Sequence, residues 1–254
     1  MKCAIVLLCM GMLTLSALSE EEFHLFTSKD DRAISGRIVD FDGRKDTITI
    51  ELENKRRASV PVGGFSDSDQ QYIREWISAQ RFMDKQMLRI DCDDKLVDES
   101  KDEERITVTY TSGTTVNDFL ANVVHKERIA YEFEFDNRNT VPINGIRMEY
   151  RIYFEQSKMA SGHNPEPEQH CFRGQLTVPS IEGASRKAVL TDAVEIYKDD
   201  INPIPQVGGD PRQGGKGEVQ GIRARIYMKL STGDEVMREF HHPSSLSERD
   251  FPWQ

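Results

Sequence analysis

The residues best suited to chemistry form one cluster of histidine and acidic side chains. His163, Glu166, Glu168 and His170 fall within a single short polar segment. Imidazole nitrogens and carboxylate oxygens are zinc ligands. However, their spacing matches no standard zinc motif, and two prolines stiffen a loop that needs polar residues for solvation. We therefore expect a solvated loop and no cofactor, with a metal site at these four residues as the alternative.

No catalytic motif accompanies this cluster. The chain has no G-x-S-x-G nucleophile elbow, and its glycine-rich segment lacks the phosphate-loop spacing because Gly217 follows Lys216. His241 and His242 are adjacent, and neighbours on a strand face opposite ways. We therefore expect a protein that is not an enzyme and has no catalytic residues. The alternative is a carbohydrate-active or other hydrolytic enzyme, whose carboxylates would come from distant strands of a β-sandwich.

The first nineteen residues have the layout of a cleavable secretory signal. Lys2 precedes an apolar run, and small residues at Ala17 and Ser19 come just before Glu20. The run is shorter than the roughly 20 residues that a membrane-spanning helix needs. We expect residues 1–19 to be removed and the mature protein to be secreted or periplasmic. A signal anchor that stays attached is the alternative.

Cysteine and charge content constrain the mature chain. Cys92 and Cys171 remain after the signal, and two cysteines in an exported protein allow one disulfide. The alternative is two free thiols. With 33 basic and 43 acidic residues, the chain is repelled by phosphate backbones and anionic lipid. We expect no nucleic-acid partner, and no membrane contact after signal cleavage.

The segment 20–82 predicts a small module of short strands followed by one helix. Its strands are expected at Phe23–Phe26, Ala33–Phe41, Thr47–Leu52 and Ala58–Val62. Alternation is cleanest in Thr47–Leu52, where every second residue is apolar. Asp42-Gly43 predicts a tight turn in which glycine adopts a positive φ.

The helix of this module begins with a capping pattern. Ser66 is expected to be the N-cap, with Asp69 three residues later completing a capping-box-like pair. One apolar stripe at helical spacing is expected to pack on the strands. It consists of Tyr72, Ile73, Trp76 and Ile77.

These motifs resemble a known family. Val60-Pro61-Val62, Phe65-Ser66 and Asp69-Gln70-Gln71-Tyr72-Ile73 are similar to the first homology domain of the Sla endocytic adaptors, and such modules are frequent in exported proteins of planctomycete- and verrucomicrobium-like bacteria. The resemblance covers about a quarter of the chain and implies a small Src-homology-three-like barrel with a terminal helix. It also implies a binding or scaffolding role. The adaptors' Asn-Pro-Phe-x-Asp peptide is not carried over, because an exported protein does not meet endocytic cargo.

The second half predicts an all-β domain. Residues 83–104 are rich in charged side chains and are expected to be a linker or an irregular entry. Residues 105–254 hold about eight alternating segments without a long helix, a pattern typical of a β-sandwich. The expected strands are Arg105–Tyr110, Glu127–Phe135, Ile143–Phe154, Gln175–Val178, Arg186–Thr191, Val194–Tyr197, Gly221–Leu230 and Val236–Phe240.

This half resembles immunoglobulin- or fibronectin-like sandwiches. The similarity rests on YEFEFDNRNTVPINGIRMEYRIYFE and GIRARIYMKLSTGDEV, and the Cys–Trp–Cys arrangement of antibody domains is absent. The expected fold class is therefore mainly β, a small barrel with a terminal helix plus a β-sandwich. The expected function is that of an exported non-catalytic binding or scaffold protein of the cell envelope, with a peptide, protein or envelope polymer as its partner.

Overall fold

The structure is a computed structural model that describes residues 23–158, 160–161, 166–202, 212–230, 233 and 235–253. Within these residues the protein is mainly β, with several antiparallel sheets and one α-helix. The chain divides into two compact units, Met1–Arg74 and Glu75–Gln254. The predicted secretory signal at residues 1–19 lies outside the described residues.

The first unit contains one antiparallel sheet of four strands in the order β1-β2-β3-β4. The alternating apolar residues of the sequence correctly predict the core of this sheet. Ile48 and Ile50, on the central strand β3, are fully buried. On β2, Gly36 must lack a side chain, since a Cβ there would overlap Ile50. The strands are β1 (His24–Thr27), β2 (Ala33–Asp42), β3 (Thr47–Leu52) and β4 (Arg57–Pro61).

The four strands form an open meander, so the predicted barrel is not closed among the described residues. After β4 the chain enters a short 3-10 helix, Val62–Gly64, instead of continuing as a strand along β1. The next two residues bring the main chain back to the end of β1: Phe65 forms an isolated bridge with Ser28, and the Ser66 N–H donates to the Thr27 carbonyl.

The predicted N-cap at Ser66 is confirmed, but the Ser66 N–H donates to the Thr27 carbonyl and not to Asp69, so the capping box is incomplete. Helix α1 spans Asp67–Met83 and follows Ser66, whose hydroxyl accepts a hydrogen bond from the Asp69 N–H and donates one to Asp69 Oδ2. Of the predicted apolar stripe, Ile73 and Ile77 are buried and the two aromatic residues are half-buried. The boundary between the two units falls within this helix.

The second unit contains two four-stranded antiparallel sheets and a two-stranded ribbon of β8 and β12. In the first sheet, β5 pairs with one edge of β6, while β10 and β11 both pair with the other edge. The second sheet has the order β14-β13-β7-β9. The strands are β5 (Leu88–Thr109), β6 (Thr115–Asn137), β7 (Ile146–Ser157), β8 (Ala160–Ser161), β9 (Pro167–Val178), β10 (Ser185–Leu190), β11 (Val194–Ile201), β12 (Arg212–Gln213), β13 (Gly217–Lys229) and β14 (Glu235–His242).

Both large sheets contribute to one hydrophobic core. Phe133 and Phe135 of β6 belong to the same buried cluster as Met148, Tyr150 and Ile226 of the other sheet. On these strands buried apolar residues alternate with mostly half-buried polar ones, as expected for sheets with one face in the core. The core residues therefore also fix which residues lie on the outer faces.

The predicted linker at residues 83–104 is wrong, because β5 runs without interruption from Leu88 to Thr109. Its acidic stretch disfavours a strand by intrinsic preference. Pairing with β6 along almost its whole length overrides that preference. Charged side chains also suit an edge strand, since they discourage pairing with other chains.

Candidate functional site

The residues considered as an alternative metal site do not converge in the part of the chain that the structure describes. Glu166, Glu168 and His170 are all exposed, and His163 lies outside the described residues. Glu168 lies 3.7 Å from the Lys158 ammonium, and the His170 ring stacks on a phenylalanine of β7. The described residues contain no group of three or more His, Cys, Asp or Glu placed to hold a metal ion.

The candidate disulfide between Cys92 and Cys171 is not formed, and both thiols are free. Cys92 lies in β5 and points into the core, whereas Cys171 lies in β9 of the other sheet and is exposed. The two side chains therefore point to different faces of different sheets. Burial, followed by the charges of Asp93 and Asp94, raises the pKa of the Cys92 thiol far above its ordinary value.

The outer face of the β14-β13-β7-β9 sheet carries five arginines and two tyrosines. The inner face is apolar, so the alternate residues of β7, β9 and β13 face outward. We call this surface the arginine face. It is defined by Arg147, Arg151, Arg173, Arg223 and Arg225, together with Tyr153 and Tyr227.

A segment that follows β14 lies on the arginine face and is held through its main chain. The Arg223 guanidinium donates a 2.9 Å hydrogen bond to the carbonyl of Phe251. The Tyr153 hydroxyl donates a 2.9 Å hydrogen bond to the carbonyl of Pro252. The rings of Tyr153 and Phe251 also meet edge to face, with centroids 5.2 Å apart. Two successive carbonyls are therefore bound by side chains of the sheet.

An indole ring completes this contact. Trp253 lies against two guanidinium groups, 4.6 Å from Arg151 and 4.5 Å from Arg225, measured to ring centroids. Cation–π contacts of this kind contribute about 0.5–2 kcal/mol each, more when desolvated. Arg225 is oriented by Glu239, whose carboxylate lies 3.0 Å from its Nε. We call Leu246–Trp253 the docked segment, since Leu246 at its start is also buried.

The electrostatics of the face suit recognition of carbonyl and carboxylate groups. Arg223 is only 6% exposed, and its other guanidinium nitrogen lies 3.6 Å from the Glu248 carboxylate. Burial raises the pKa of Tyr153, so its hydroxyl keeps the proton that it donates to the docked segment. Buried charges need partners, and the docked segment supplies those of Arg223.

Two of the depressions elsewhere in the second unit have several charged side chains in their lining. One, of about 700 Å³, is lined in part by two ion pairs: Arg89 with Asp91 at 2.7 Å and Lys95 with Glu132 at 3.5 Å. The other, of about 380 Å³, is lined by three carboxylates beside a tyrosine and a histidine. These residues are Asp94, Glu127, Glu218, Tyr131 and His242.

Sequence reasoning missed the arginine face. A signal for it was present, since Arg223 and Arg225 occupy the polar positions of an alternating strand and Arg147 and Arg151 do so in another. The strand register that brings these two segments side by side is not readable from one sequence. The docked segment gave no signal, because Phe251-Pro252-Trp253 lies outside any periodic element.

Comparisons with known proteins identify no family for this chain. No protein-family model matches the chain, and no curated protein matches it either. A solved structure described as the X-ray structure of Northeast Structural Genomics Consortium target SoR45 is 10% identical, over 64% of this chain and 92% of that chain, with a TM-score of 0.26. Among the described residues, no helix is long and apolar enough to cross a membrane.

Proposed function

We propose that this protein is a non-catalytic binding or scaffold protein whose arginine face holds an extended peptide segment of a partner protein. One observation carries the proposal: the docked segment occupies this face through two main-chain carbonyls and an indole ring. Contacts to main-chain carbonyls accept many sequences, while an aromatic anchor adds selectivity, as in other modes of peptide recognition.

The setting that we propose is the cell envelope. The secretory layout of residues 1–19 supports export, and the acidic composition disfavours nucleic acid and anionic membranes as partners. The docked segment favours a peptide or protein over an envelope polymer as the ligand, because the face binds peptide carbonyls.

We also propose the finer fold. The order of four short strands followed by a capped helix supports a Sla-type, Src-homology-three-like module in the first unit. One core shared by two antiparallel sheets supports an immunoglobulin- or fibronectin-like β-sandwich in the second.

The binding proposal is tested by freeing the face and supplying a peptide. A chain starting at Glu20 and carrying Phe251→Ala and Trp253→Ala retains all the arginines. A fluorescein-labelled peptide, Phe-Pro-Trp flanked by two Gln on each side, is titrated while anisotropy is measured. We expect saturable binding to this variant and weaker binding to the unaltered chain, where the docked segment competes.

Adding Arg223→Gln to the freed chain should abolish the binding, because the carbonyl of the peptide's phenylalanine, which takes the place of the Phe251 carbonyl, loses its donor. Arg186→Gln on the other sheet removes the same charge and should change nothing. Absence of saturable binding up to about 1 mM peptide would overturn the proposal, since that limit excludes interactions stronger than about 4 kcal/mol.

The alternative is a carbohydrate-active or other hydrolytic enzyme. Its active site would lie in the smaller of the two depressions, which is lined by carboxylates. Hydrolysis of a glycoside needs two carboxyl groups flanking the bond, and Asp94, Glu127 and Glu218 line this depression. The alternative predicts that the protein releases nitrophenol from aryl glycosides and that Glu127→Gln or Glu218→Gln abolishes the release. The binding proposal predicts no release.

A further inference from the structure

Four basic side chains form one row across the whole arginine-bearing sheet. The strand register places His241 of β14 opposite Arg223 of β13, Arg223 opposite Arg151 of β7, and Arg151 opposite Arg173 of β9. All four alternate with core residues and therefore lie on the outer face. We call this line of residues the basic row.

The basic row differs from the next two rows on one side of it along the same face. In those rows each arginine has a carboxylate partner: Arg225 pairs with Glu239, and Arg147 pairs with Glu149 and Glu235. Like charges directly opposite each other on neighbouring strands destabilise a sheet. Acidic residues are in excess in this chain, so a row without an internal carboxylate is a local exception that calls for a ligand.

Only one arginine of the basic row meets a carboxylate among the described residues. Glu248 of the docked segment lies 3.6 Å from Arg223. Neither Arg151 nor Arg173 has a carboxylate within ion-pair distance in the part of the chain that the structure describes. Arg173 is also exposed, and it makes no contact with the docked segment there.

We propose that the basic row selects acidic peptide segments, with Arg151 and Arg173 binding a carboxylate of the ligand as Arg223 binds Glu248. The planar guanidinium fork matches a carboxylate and binds it through two parallel hydrogen bonds. This inference rests on the proposed function, because it assumes that the ligand is a peptide on the arginine face. It adds that aspartate or glutamate residues flank the aromatic anchor of that peptide.

The test compares two labelled peptides on the freed chain, which carries Phe251→Ala and Trp253→Ala. Both peptides contain Phe-Pro-Trp, one flanked on each side by two Glu and the other by two Gln. We expect the Glu peptide to bind at least about tenfold more tightly, because a charge-assisted pair is stronger than a neutral one. The difference should shrink as salt is raised, since screening weakens exposed ion pairs.

Arg173→Gln separates this inference from the proposed function. Arg173 makes no described contact with the docked segment, so the variant should bind the Gln peptide unchanged and lose most of the advantage of the Glu peptide. Arg173→Lys keeps the charge but lacks the guanidinium fork, so it should retain part of the advantage of the Glu peptide. Arg186→Gln on the other sheet is the matched control, and it should leave both affinities unchanged.

Each outcome is decisive. If neither peptide binds the freed chain, the proposed function itself fails. If both bind equally, or Arg173→Gln leaves their difference intact, the peptide-binding face stands and selection by the basic row is wrong. If an oligogalacturonate binds at Arg173 as tightly as the Glu peptide does, the assignment to an acidic peptide is overturned in favour of an acidic polysaccharide.

Discussion

The guanidinium group of Arg223 donates a 2.9 Å hydrogen bond to the main-chain carbonyl of Phe251, and the side chain of this arginine is only 7% exposed. A buried charge without partners is costly. The docked segment supplies this arginine with a carbonyl and a nearby carboxylate, and the arginine fixes the segment to the sheet. Each therefore depends on the other.

Arg223→Gln should release the docked segment from the sheet. The hydrogen bond from a charged group contributes about 1.5–3 kcal/mol, and its loss leaves the Phe251 carbonyl without that donor. In a Trp76→Phe background, Trp253 is the only tryptophan, and its fluorescence should shift to longer wavelength as the ring enters water. Arg186→Gln is the control, and an unchanged emission maximum in the Arg223 variant would contradict the expected release.

Asp69 should make the first unit sensitive to acid. Burial alone would raise the pKa of this carboxyl, but hydrogen bonds from His24, the Thr27 N–H and the Ser66 hydroxyl outweigh it and lower the pKa below its ordinary value. The unfolded chain therefore binds the proton more tightly than the folded chain. The stability that Asp69 contributes is present above pH about 4 and is lost as the pH falls through the lowered pKa of the folded state.

Asp69→Asn tests this dependence. The variant should unfold about 1–3 kcal/mol more easily at neutral pH, because three donors lose a charged acceptor. Its stability should then fall less between pH 5 and pH 2 than that of the unaltered chain, as measured by urea unfolding at each pH. Parallel pH profiles for the two proteins would rule out this role for Asp69.

The sequence predicts local elements well where burial on one face dictates the pattern. Thr47–Leu52 is a strand at the predicted positions because Ile48 and Ile50 fill the core of its unit. The predicted turn at Asp42-Gly43 is correct in place but wrong in geometry. The loop is longer, and Asp46, with a φ of 50°, takes the left-handed conformation expected of the glycine.

The sequence fails where distant segments decide the structure. The acidic part of Leu88–Thr109 has little strand preference of its own, and only its pairing with β6 makes it a strand. Arg151, Arg173 and Arg223 likewise lie far apart along the chain, and the register of three strands brings them into one row. Neither the long hairpin nor the basic row can be predicted without knowing which strands pair.

Tyr150→Phe should destabilise the second unit modestly. The Tyr150 hydroxyl donates a 2.8 Å hydrogen bond to the Asp192 carboxylate and accepts one from the Asp192 N–H. Phenylalanine keeps the buried ring, so the expected loss is about 1 kcal/mol in the free energy of unfolding. Gly174→Ala should cost more, because a Cβ at that position overlaps the same ring. Urea unfolding measures both, and equal or reversed effects would contradict the packing described for Tyr150.

The two cysteines should differ sharply in reactivity. In a chain that lacks residues 1–19, Cys92 and Cys171 are the only cysteines. Cys171 is exposed and should react with a maleimide in the native protein, whereas Cys92 is buried with a raised pKa and should react only after unfolding. Peptide mapping by mass spectrometry identifies the labelled residue. A reductant should leave the thermal midpoint unchanged, and a denatured protein without reactive thiols before reduction would show that the disulfide forms after all.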